Sequence, residues 1–199
     1  MSPYPAQVDI PTILERAREL IEADGVDQLT LGKLAASLNI KAPSLYKHIA
    51  SKAELIKAVN TITAQQLQAT LSRVIATAPD GRLDWGLIRP LALAYRSFAL
   101  ENPTAYSLLF SNLAPESRPD EQLMEAIAIP LQALMAQVSG PEPSLAALRG
   151  ALALLHGFVT LELNGQFKRG GDVQAAFLDS FDAYLAGWQG NPPENKNRR

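Results

Sequence analysis

The segment from residue 30 to residue 55 constrains the fold most, because it is typical of two short helices joined by a tight turn and followed by a longer helix. Thr30 can cap the first helix, whose apolar residues then recur with the i, i+3, i+4, i+7 spacing of one helix face. Asn39 stands where the chain must turn, and asparagine tolerates left-handed backbone better than most residues. The second helix is predicted to begin near Ala42, with Pro43 in its first turn, where a missing N–H costs no helical hydrogen bond.

The predicted second helix is barely two turns long, so packing against its neighbours has to hold it. Leu45 and Ile49 form its apolar side, whereas the other faces carry polar, basic and aromatic residues, namely Ser44, Tyr46, Lys47 and His48. Such a rod can present these groups to the major groove of DNA. Residues 30–57 contain five lysines against one acid, whereas the whole chain has a net charge of −2. Phosphate binding depends on local cation density, so the net charge of the whole chain neither supports nor opposes DNA binding.

This segment resembles the N-terminal DNA-binding domain of the TetR family of transcriptional repressors. The family pattern ends in L-Y-x-H-[hydrophobic]-x-x-K-x-x-L, and residues 45–55 of this chain are L-Y-K-H-I-A-S-K-A-E-L. The resemblance extends over residues 10–59. The chain departs from the pattern at Asn39, where the family usually has glycine, and at Lys47, where it often has an aromatic residue.

The resemblance implies a role in DNA binding for nine residues. Thr30 would bond a phosphate through its hydroxyl and the start of its helix. Four residues would lead the recognition helix and face base edges: Lys41, Ala42, Pro43 and Ser44. Tyr46 would reach a base and the backbone. Three residues would bind phosphates, which sets register without conveying sequence: Lys47, His48 and Lys52.

Three of these residues also have structural interpretations. Tyr46 could be a half-buried core aromatic, and His48 a surface or capping histidine. Lys52 lies in the sequence Ser51-Lys52-Ala53-Glu54, which is a capping box and could mark only the start of a helix. The order of the whole unit, a capped helix, a turn, a short basic helix and a boxed third helix, favours the functional interpretation.

The chain as a whole is predicted to be all-α, because no alternating runs bounded by hairpin turns occur. We expect a DNA-binding domain at 1–51, a ligand-binding and dimerisation domain at 52–189 that begins with a linking helix at 52–76, and a disordered tail at 190–199. Asp9 can cap the first helix and Gly25 can end it. Five further helices are predicted at about 84–102, 103–111, 119–138, 143–164 and 172–188.

Composition excludes several classes of chemistry. Hydrophobic residues make up 47% of the 199 residues, whereas charged residues make up only 19%, which suggests that a partner subunit or a ligand covers apolar surface. The chain has no cysteine and only two histidines, one in each predicted domain. Disulfides, a zinc site and a Cys–His nucleophile pair are therefore excluded, and we expect no metal, cofactor or catalytic residue.

A cytoplasmic protein without a membrane partner is expected. The first residues lack the basic start and apolar core of a signal peptide. Only twelve uncharged residues lie between Arg149 and Glu162, fewer than a bilayer requires.

The last two predicted helices carry more apolar residues than one buried face needs. Their excess predicts that they pair with the same helices of a second copy, through eight residues: Leu148, Leu152, Leu155, Val159, Phe177, Phe181, Tyr184 and Trp188. The resemblance implies the same homodimer, because TetR-family repressors dimerise through a four-helix bundle of their final two long helices. The alternative is that these residues form the centre of one larger core.

The middle helices offer material for a ligand pocket. Pro90 and Pro130 lie within helical patterns and are expected to kink them. The predicted lining consists of nine residues: Tyr95, Phe98, Tyr106, Leu109, Phe110, Met124, Ile127, Leu131 and His156. The run Leu155-His156-Gly157-Phe158 also resembles the W-H-G signature of one C-terminal subgroup of the family, with Leu155 in place of tryptophan. A small apolar or aromatic effector would suit such a pocket, although plain core packing is an alternative for every aromatic in it.

These features predict a ligand-responsive transcriptional regulator. The simplest form is a repressor that binds a palindromic operator in double-stranded DNA as a homodimer and is released by an effector. One alternative is a helical enzyme using His156, Glu162, Tyr95 or Tyr106. His156 and Glu162 are six residues apart, about 240° around a helix, and cannot act at one point. A second alternative is a small-molecule-binding protein that has lost DNA binding.

Overall fold

The computed structural model describes residues 8–78 and 83–189, which include no strand. The predicted all-α fold is therefore confirmed over these ranges, whereas the predicted tail at 190–199 lies outside them. The helices are α1 (Ile10–Asp24), α2 (Leu31–Ser37), α3 (Ala42–Leu45), α4 (Lys52–Ile75), α5 (Ile88–Glu101), α6 (Pro103–Leu109), α7 (Glu121–Ser139), α8 (Ser144–Leu163) and α9 (Val173–Gln189).

The chain forms two compact units whose division differs from the expected boundary at 51/52. Among the described residues, the first unit contains 8–66 and 102–123, and the second contains 67–78, 83–101 and 124–189. The long helix α4 is divided between the two units after residue 66. Its first part belongs to the first unit, where Leu55 and Val59 are core residues. Helix α6 also belongs to the first unit, although it lies between α5 and α7 in sequence.

Local capping sets the helix boundaries of the first unit. Asp9 accepts a hydrogen bond from the backbone N–H of Thr12 (3.0 Å), and Gly25 ends α1 with a φ of 82°. Thr30 caps α2, and Asn39 takes up the left-handed conformation with a φ of 53°. These features confirm the turn chemistry expected from the sequence.

The core of the first unit draws one apolar face from each helix. Fully buried residues on the helix-turn-helix and its neighbours pack into a single cluster: Ile13, Ala17, Ile21, Leu34, Leu45, Leu55 and Val59. Leu45 is the one buried residue within α3. Tertiary packing through Leu45 therefore holds this one-turn helix, which would not be stable alone.

Two charged residues of α1 fix the start of α6. The Glu22 carboxylate accepts hydrogen bonds from the backbone N–H groups of Thr104 (3.2 Å) and Ala105 (2.8 Å), where a helix leaves its donors unsatisfied. The Arg18 guanidinium donates to the side-chain oxygens of Gln66 (2.5 Å) and Asn102 (3.0 Å). Helix α6 is thus attached to the DNA-binding unit by polar contacts.

In the second unit, α8 packs against α5 and α9. Helix α8 is the one helix among the described residues that is long and apolar enough to cross a membrane, which corrects the shorter span derived from the sequence. The sequence-based count of uncharged residues stopped at the charged residues Arg149 and Glu162, whereas α8 contains both of them. Its apolar residues Ala147, Leu148, Ala151, Leu155 and Val159 are buried in the unit, as expected for the core helix of a globular domain.

The two prolines expected to kink helices occupy different positions. Pro90 lies in the first turn of α5, where proline fits without breaking a helical hydrogen bond, so it does not act as an interior kink. Pro130 lies inside α7, as predicted. The helix predicted from residue 84 begins with a 3₁₀ turn at Trp85–Leu87.

Gly150 allows α9 to pack closely on α8. The Tyr184 hydroxyl donates a hydrogen bond to the carbonyl oxygen of Ala147 (2.7 Å), and the tyrosine ring crosses α8 above Gly150. A Cβ atom at Gly150 would lie 2.9 Å from the Tyr184 Cζ and closer still to its Oη. Only glycine accommodates this crossing.

We expect Gly150→Ala to lower the free energy of unfolding by about 1–3 kcal/mol, because the tyrosine ring must move and its hydrogen bond is strained. The matched control is Gly187→Ala in α9, where a Cβ would meet nothing within 4 Å. That change should raise stability by up to about 1 kcal/mol through helix propensity. Urea denaturation at one protein concentration measures both. A Gly150→Ala protein as stable as the wild type would contradict the packing described.

Candidate nucleic-acid interface

The predicted recognition helix is shorter than expected. It forms one α-helical turn, Ala42–Leu45, and continues as a turn through residue 48. The backbone N–H of Ile49 still donates to the carbonyl oxygen of Leu45 (3.0 Å), so the chain remains coiled as far as that residue. Leu45 and Ile49 are buried, as predicted, and they orient the rest of the segment outward.

The exposed side of this segment carries the residues predicted to bind DNA. Tyr46 is 55% exposed, which excludes the interpretation that it is a core aromatic. Seven of the nine predicted residues are exposed: Thr30, Lys41, Pro43, Ser44, Tyr46, Lys47 and His48. The other two, Ala42 and Lys52, are half-buried. The segment thus exposes the amphipathic ring of Tyr46 and several basic side chains to solvent.

Thr30 is placed to serve two roles at the start of α2. Its Oγ1 accepts a hydrogen bond from the backbone N–H of Lys33 (3.1 Å), which caps the helix. A hydroxyl group can still donate its own hydrogen to a phosphate oxygen. The helix start favours the same anion because its first N–H groups are unsatisfied and its dipole is positive there.

Lys33 adds an exposed cation that the residue-by-residue prediction omitted. Its Nζ lies 2.7 Å from a carboxylate oxygen of Asp24, and both side chains are about 40% exposed. Such an exposed pair contributes little to stability. Lys33 can therefore exchange Asp24 for a phosphate at small cost. The lysine count of residues 30–57 contained this signal, although the family pattern did not.

The start of α4 uses the Ser51–Glu54 pair that the sequence predicts for a capping box, although the Glu54 carboxylate binds the backbone N–H of Ala50 and not that of the N-cap residue Ser51. The Ser51 hydroxyl accepts from the backbone N–H of Glu54 (3.1 Å), and the Glu54 carboxylate accepts from the backbone N–H of Ala50 (2.7 Å). This structure fixes Lys52 in the first turn of the helix. The structural and functional interpretations of Lys52 are therefore compatible.

His48 lies within electrostatic range of the start of α1. The pKa of Asp9 is lowered from its ordinary value chiefly by the hydrogen bonds from the Thr12 hydroxyl and backbone N–H, and least by the charge of His48.

Two of the nine predicted effector residues line an apolar cavity in the second unit. A cavity of about 40 Å³ lies within the second unit, lined by apolar side chains of α4, α5, α7, α8 and α9. Tyr95 and Leu131 line it, as predicted, but Phe98, Met124, Ile127 and His156 are not among its lining residues. The three predicted residues of the 106–110 stretch lie on the first unit: Tyr106, Leu109 and Phe110.

Most residues predicted for the dimer interface are buried within the subunit. Exposure is 7% or less for Leu148, Leu155, Val159, Phe177 and Phe181, and three of these also line the cavity: Leu148, Leu155 and Phe181. The alternative of a single larger core therefore applies to these five, which leave no surface for a partner. Leu152, Tyr184 and Trp188 remain partly exposed.

Two candidates for the enzyme alternative lie on α8. Glu162 forms an ion pair with Arg96, and His156 is half-buried on α8. Among the described residues, no group of three or more histidine, cysteine, aspartate or glutamate side chains could hold a metal ion.

Burial lowers the pKa of His156 below its ordinary value of 6.5. The unfolded chain therefore binds this proton more readily than the folded chain does, so the wild type loses stability as the pH falls from about 6.5 through the folded pKa. We expect His156→Gln to remove this part of the pH dependence. Urea denaturation at pH 7.5 and pH 5.5 measures it. An unchanged difference between the two pH values in the variant would contradict this assignment.

An exposed helix-turn-helix on an all-helical chain defines a DNA-binding regulator. The family model described as "Bacterial regulatory proteins, tetR family" matches residues 13–59, and that described as "Tetracyclin repressor-like, C-terminal domain" matches residues 88–184. An uncharacterized HTH-type transcriptional regulator of Mycobacterium tuberculosis, Rv0681, is 33% identical over 93% of this chain and 84% of its own length. The chain belongs to the TetR family, which confirms the resemblance seen in the sequence.

Solved structures agree with this fold. A protein of unknown function from Rhodococcus sp. RHA1 superimposes with a TM-score of 0.79 at 27% identity, covering 95% of this chain and all of that one. A variant of TetR from Acinetobacter baumannii AYE, solved in complex with minocycline, superimposes with a TM-score of 0.69 at 24% identity, covering 94% and 99% of the two chains. At this identity the second similarity is one of fold.

Proposed function

We propose that this regulator is a homodimeric repressor that binds a palindromic operator and is released by a small apolar or aromatic effector. The observation that carries the proposal is the exposed segment around Tyr46, which is anchored by two buried residues and surrounded by lysines. Its expected place of action is the cytoplasm, where the operator is accessible.

The DNA contacts divide into two kinds. The leading residues of α3, from Lys41 to Ser44, are short or basic and can approach base edges without steric hindrance. The surrounding Lys47, His48 and Lys52 would bind phosphates and set the register of the helix in the groove. Lys33 joins this second group, because its partner Asp24 is exposed and replaceable.

The dimer surface we propose is the side of α8 and α9 that faces away from the core of the subunit. Small residues contribute to it: Ala146 and Ala153 on α8, and Ala183 and Ala186 on α9 are all exposed, and the exposed Arg149 lies between the two alanines of α8. Small side chains allow two helix pairs to approach closely. An isologous dimer carries two recognition segments, which matches a palindromic operator whose half-site centres lie about 34 Å apart along the duplex.

Sedimentation or light scattering tests this surface. Ala153→Arg places a charge in the centre of the proposed face and should convert the dimer to a monomer. The matched control is Ala126→Arg, at an exposed position on α7, which should leave the dimer intact. A dimer that survives Ala153→Arg would contradict the proposed face.

The effector is proposed to enter the apolar cavity lined by Tyr95 and Leu131. A cavity of 40 Å³ is far smaller than the roughly 300 Å³ that a drug-sized ligand occupies. Binding therefore requires the surrounding helices to separate. The effector would therefore bind the expanded state of the unit more tightly than the closed state. Ligand control of DNA binding needs such a difference in affinity, and the coupling free energy between the two sites is typically about 1–3 kcal/mol.

Titration onto the DNA upstream of the gene tests the function. Fluorescence anisotropy should show binding that weakens steeply with salt, because each neutralised phosphate releases counterions. A compound that raises the thermal midpoint of the protein should weaken that binding by about 5- to 150-fold. The absence of binding to any palindrome in that DNA would count against repression.

A further inference from the structure

The turn between α8 and α9 forms a second cavity, separate from the apolar one described above. Its volume is about 450 Å³, which falls in the range of small-molecule sites. The walls come from the end of α8, the turn at 166–172 and the start of α9, all within the second unit. This space exists without any movement of helices.

One wall of the cavity is aromatic. Phe158 and Phe167 both line it, with ring centroids 4.6 Å apart and ring planes inclined at 44°. Phe167 is 38% exposed, unusual for a phenylalanine in a globular domain. The pair offers apolar ring surface against which an aromatic ligand could pack.

The cavity also has basic lining residues. Lys168 and Arg169 line the cavity, are exposed, and form no ion pair with any residue that the structure describes. The one acidic residue of the lining, Asp172, accepts hydrogen bonds from the backbone N–H groups of Gln174 (2.9 Å) and Ala175 (3.1 Å). Its charge is thus directed to the start of α9, and the cavity retains a positive excess.

We infer that this cavity binds an anionic aromatic compound, such as an aryl carboxylate or aryl sulfonate. The arene packs against Phe158 and Phe167, and the acid group pairs with Lys168 and Arg169. Arginine and lysine provide charge-assisted hydrogen bonds to such oxygens. The inference is independent of the proposed effector cavity, since the two sites share no lining residue.

Ligand binding at this site can reach the core of the unit through aromatic contacts. The Phe158 ring meets the Phe177 ring edge-on at 5.2 Å, and the Arg96 guanidinium lies 5.7 Å from the centroid of Phe177. Arg96 belongs to α5, which runs directly into α6 of the DNA-binding unit. A ligand that shifts Phe158 would therefore act on α5.

Two matched fluorescent probes test the site directly. 8-Anilino-1-naphthalenesulfonate carries the arene and the anion, whereas N-phenyl-1-naphthylamine carries the same arene without the sulfonate. The double variant Lys168→Gln/Arg169→Gln should weaken sulfonate binding at least tenfold and leave binding of the neutral amine unchanged. Phe167→Ala should weaken both.

The control is Lys57→Gln/Arg149→Gln, which removes two exposed positive charges outside the cavity. It should leave both affinities unchanged. Equal sulfonate binding in the wild type and the Lys168/Arg169 variant would overturn the inference, as would equal weakening in the control or the absence of sulfonate binding to the wild type. Because no DNA is present, the outcome is separate from the proposed repressor function.

Discussion

Replacing Tyr46 and Lys52 together by alanine is expected to weaken operator binding close to a thousandfold. Each lost contact contributes about 1 kcal/mol, and a dimer loses two contacts at each of two half-sites, for a total of about 4 kcal/mol. The salt dependence should also fall, since one phosphate contact is lost from each half-site and each contributes a slope of about 0.9. Fluorescence anisotropy over a range of salt concentrations measures both effects.

The fold should survive this double substitution. Tyr46 is more than half exposed, and the Lys52 side chain takes no part in the capping hydrogen bonds of Ser51 and Glu54. Trp85→Ala/Lys168→Ala is a matched control, because it also removes an exposed aromatic residue and an exposed lysine, but from the other unit. Equal loss of affinity in the two double variants would show that the Tyr46 surface is not the DNA contact.

The second large effect concerns Arg96 and Glu162, which join α5 to α8. The guanidinium donates from Nη2 to the Glu162 Oε1 (2.5 Å) and from Nε to the Oε2 (2.8 Å), and the two side chains are only 11% and 17% exposed. Arg96→Met should lower the free energy of unfolding by about 3–5 kcal/mol, because Glu162 is left as an uncompensated, largely buried charge. Chemical denaturation at neutral pH measures the loss.

Two further variants distinguish the effect of the unpaired Glu162 charge from other effects of the Arg96 substitution. Arg96→Met/Glu162→Leu removes both charges and should recover most of the loss, since an apolar pair can replace a buried ion pair at little cost. Arg89→Met breaks the exposed pair with Asp182 at 3.6 Å and should cost less than about 1 kcal/mol. A double variant as unstable as Arg96→Met would show that the stabilisation comes from something other than the charges.

The features of the DNA-binding unit that the sequence predicts are local. The caps at Asp9 and Thr30, the turn at Asn39 and the box at Ser51 each depend on residues within four positions of one another. Interactions at this range follow from residue type and spacing alone. For this reason the boundaries of α1 and α2 and the outward direction of Tyr46 could be derived from the sequence.

The features that the sequence did not predict are distant in the chain. Helix α6 belongs to the DNA-binding unit because Glu22 accepts from backbone groups more than 80 residues away, and no local pattern signals this. Tyr106 and Phe110 contact each other in the first unit, whereas Tyr95 belongs to the second. Similarly, apolar spacing placed Phe177 and Phe181 on one helix face, but it could not show whether that face meets the same subunit or a second one.

Selection of bound duplexes from a random pool tests the central claim most directly, because it requires no knowledge of the operator. The wild-type protein should enrich palindromes whose half-site centres lie about one helical turn, or a multiple of one turn, apart. Tyr46→Ala/Lys52→Ala should enrich none. Enrichment of unrelated or non-palindromic duplexes by the wild type, or the same palindromes with the double variant, would contradict a dimer that reads DNA through the segment around Tyr46.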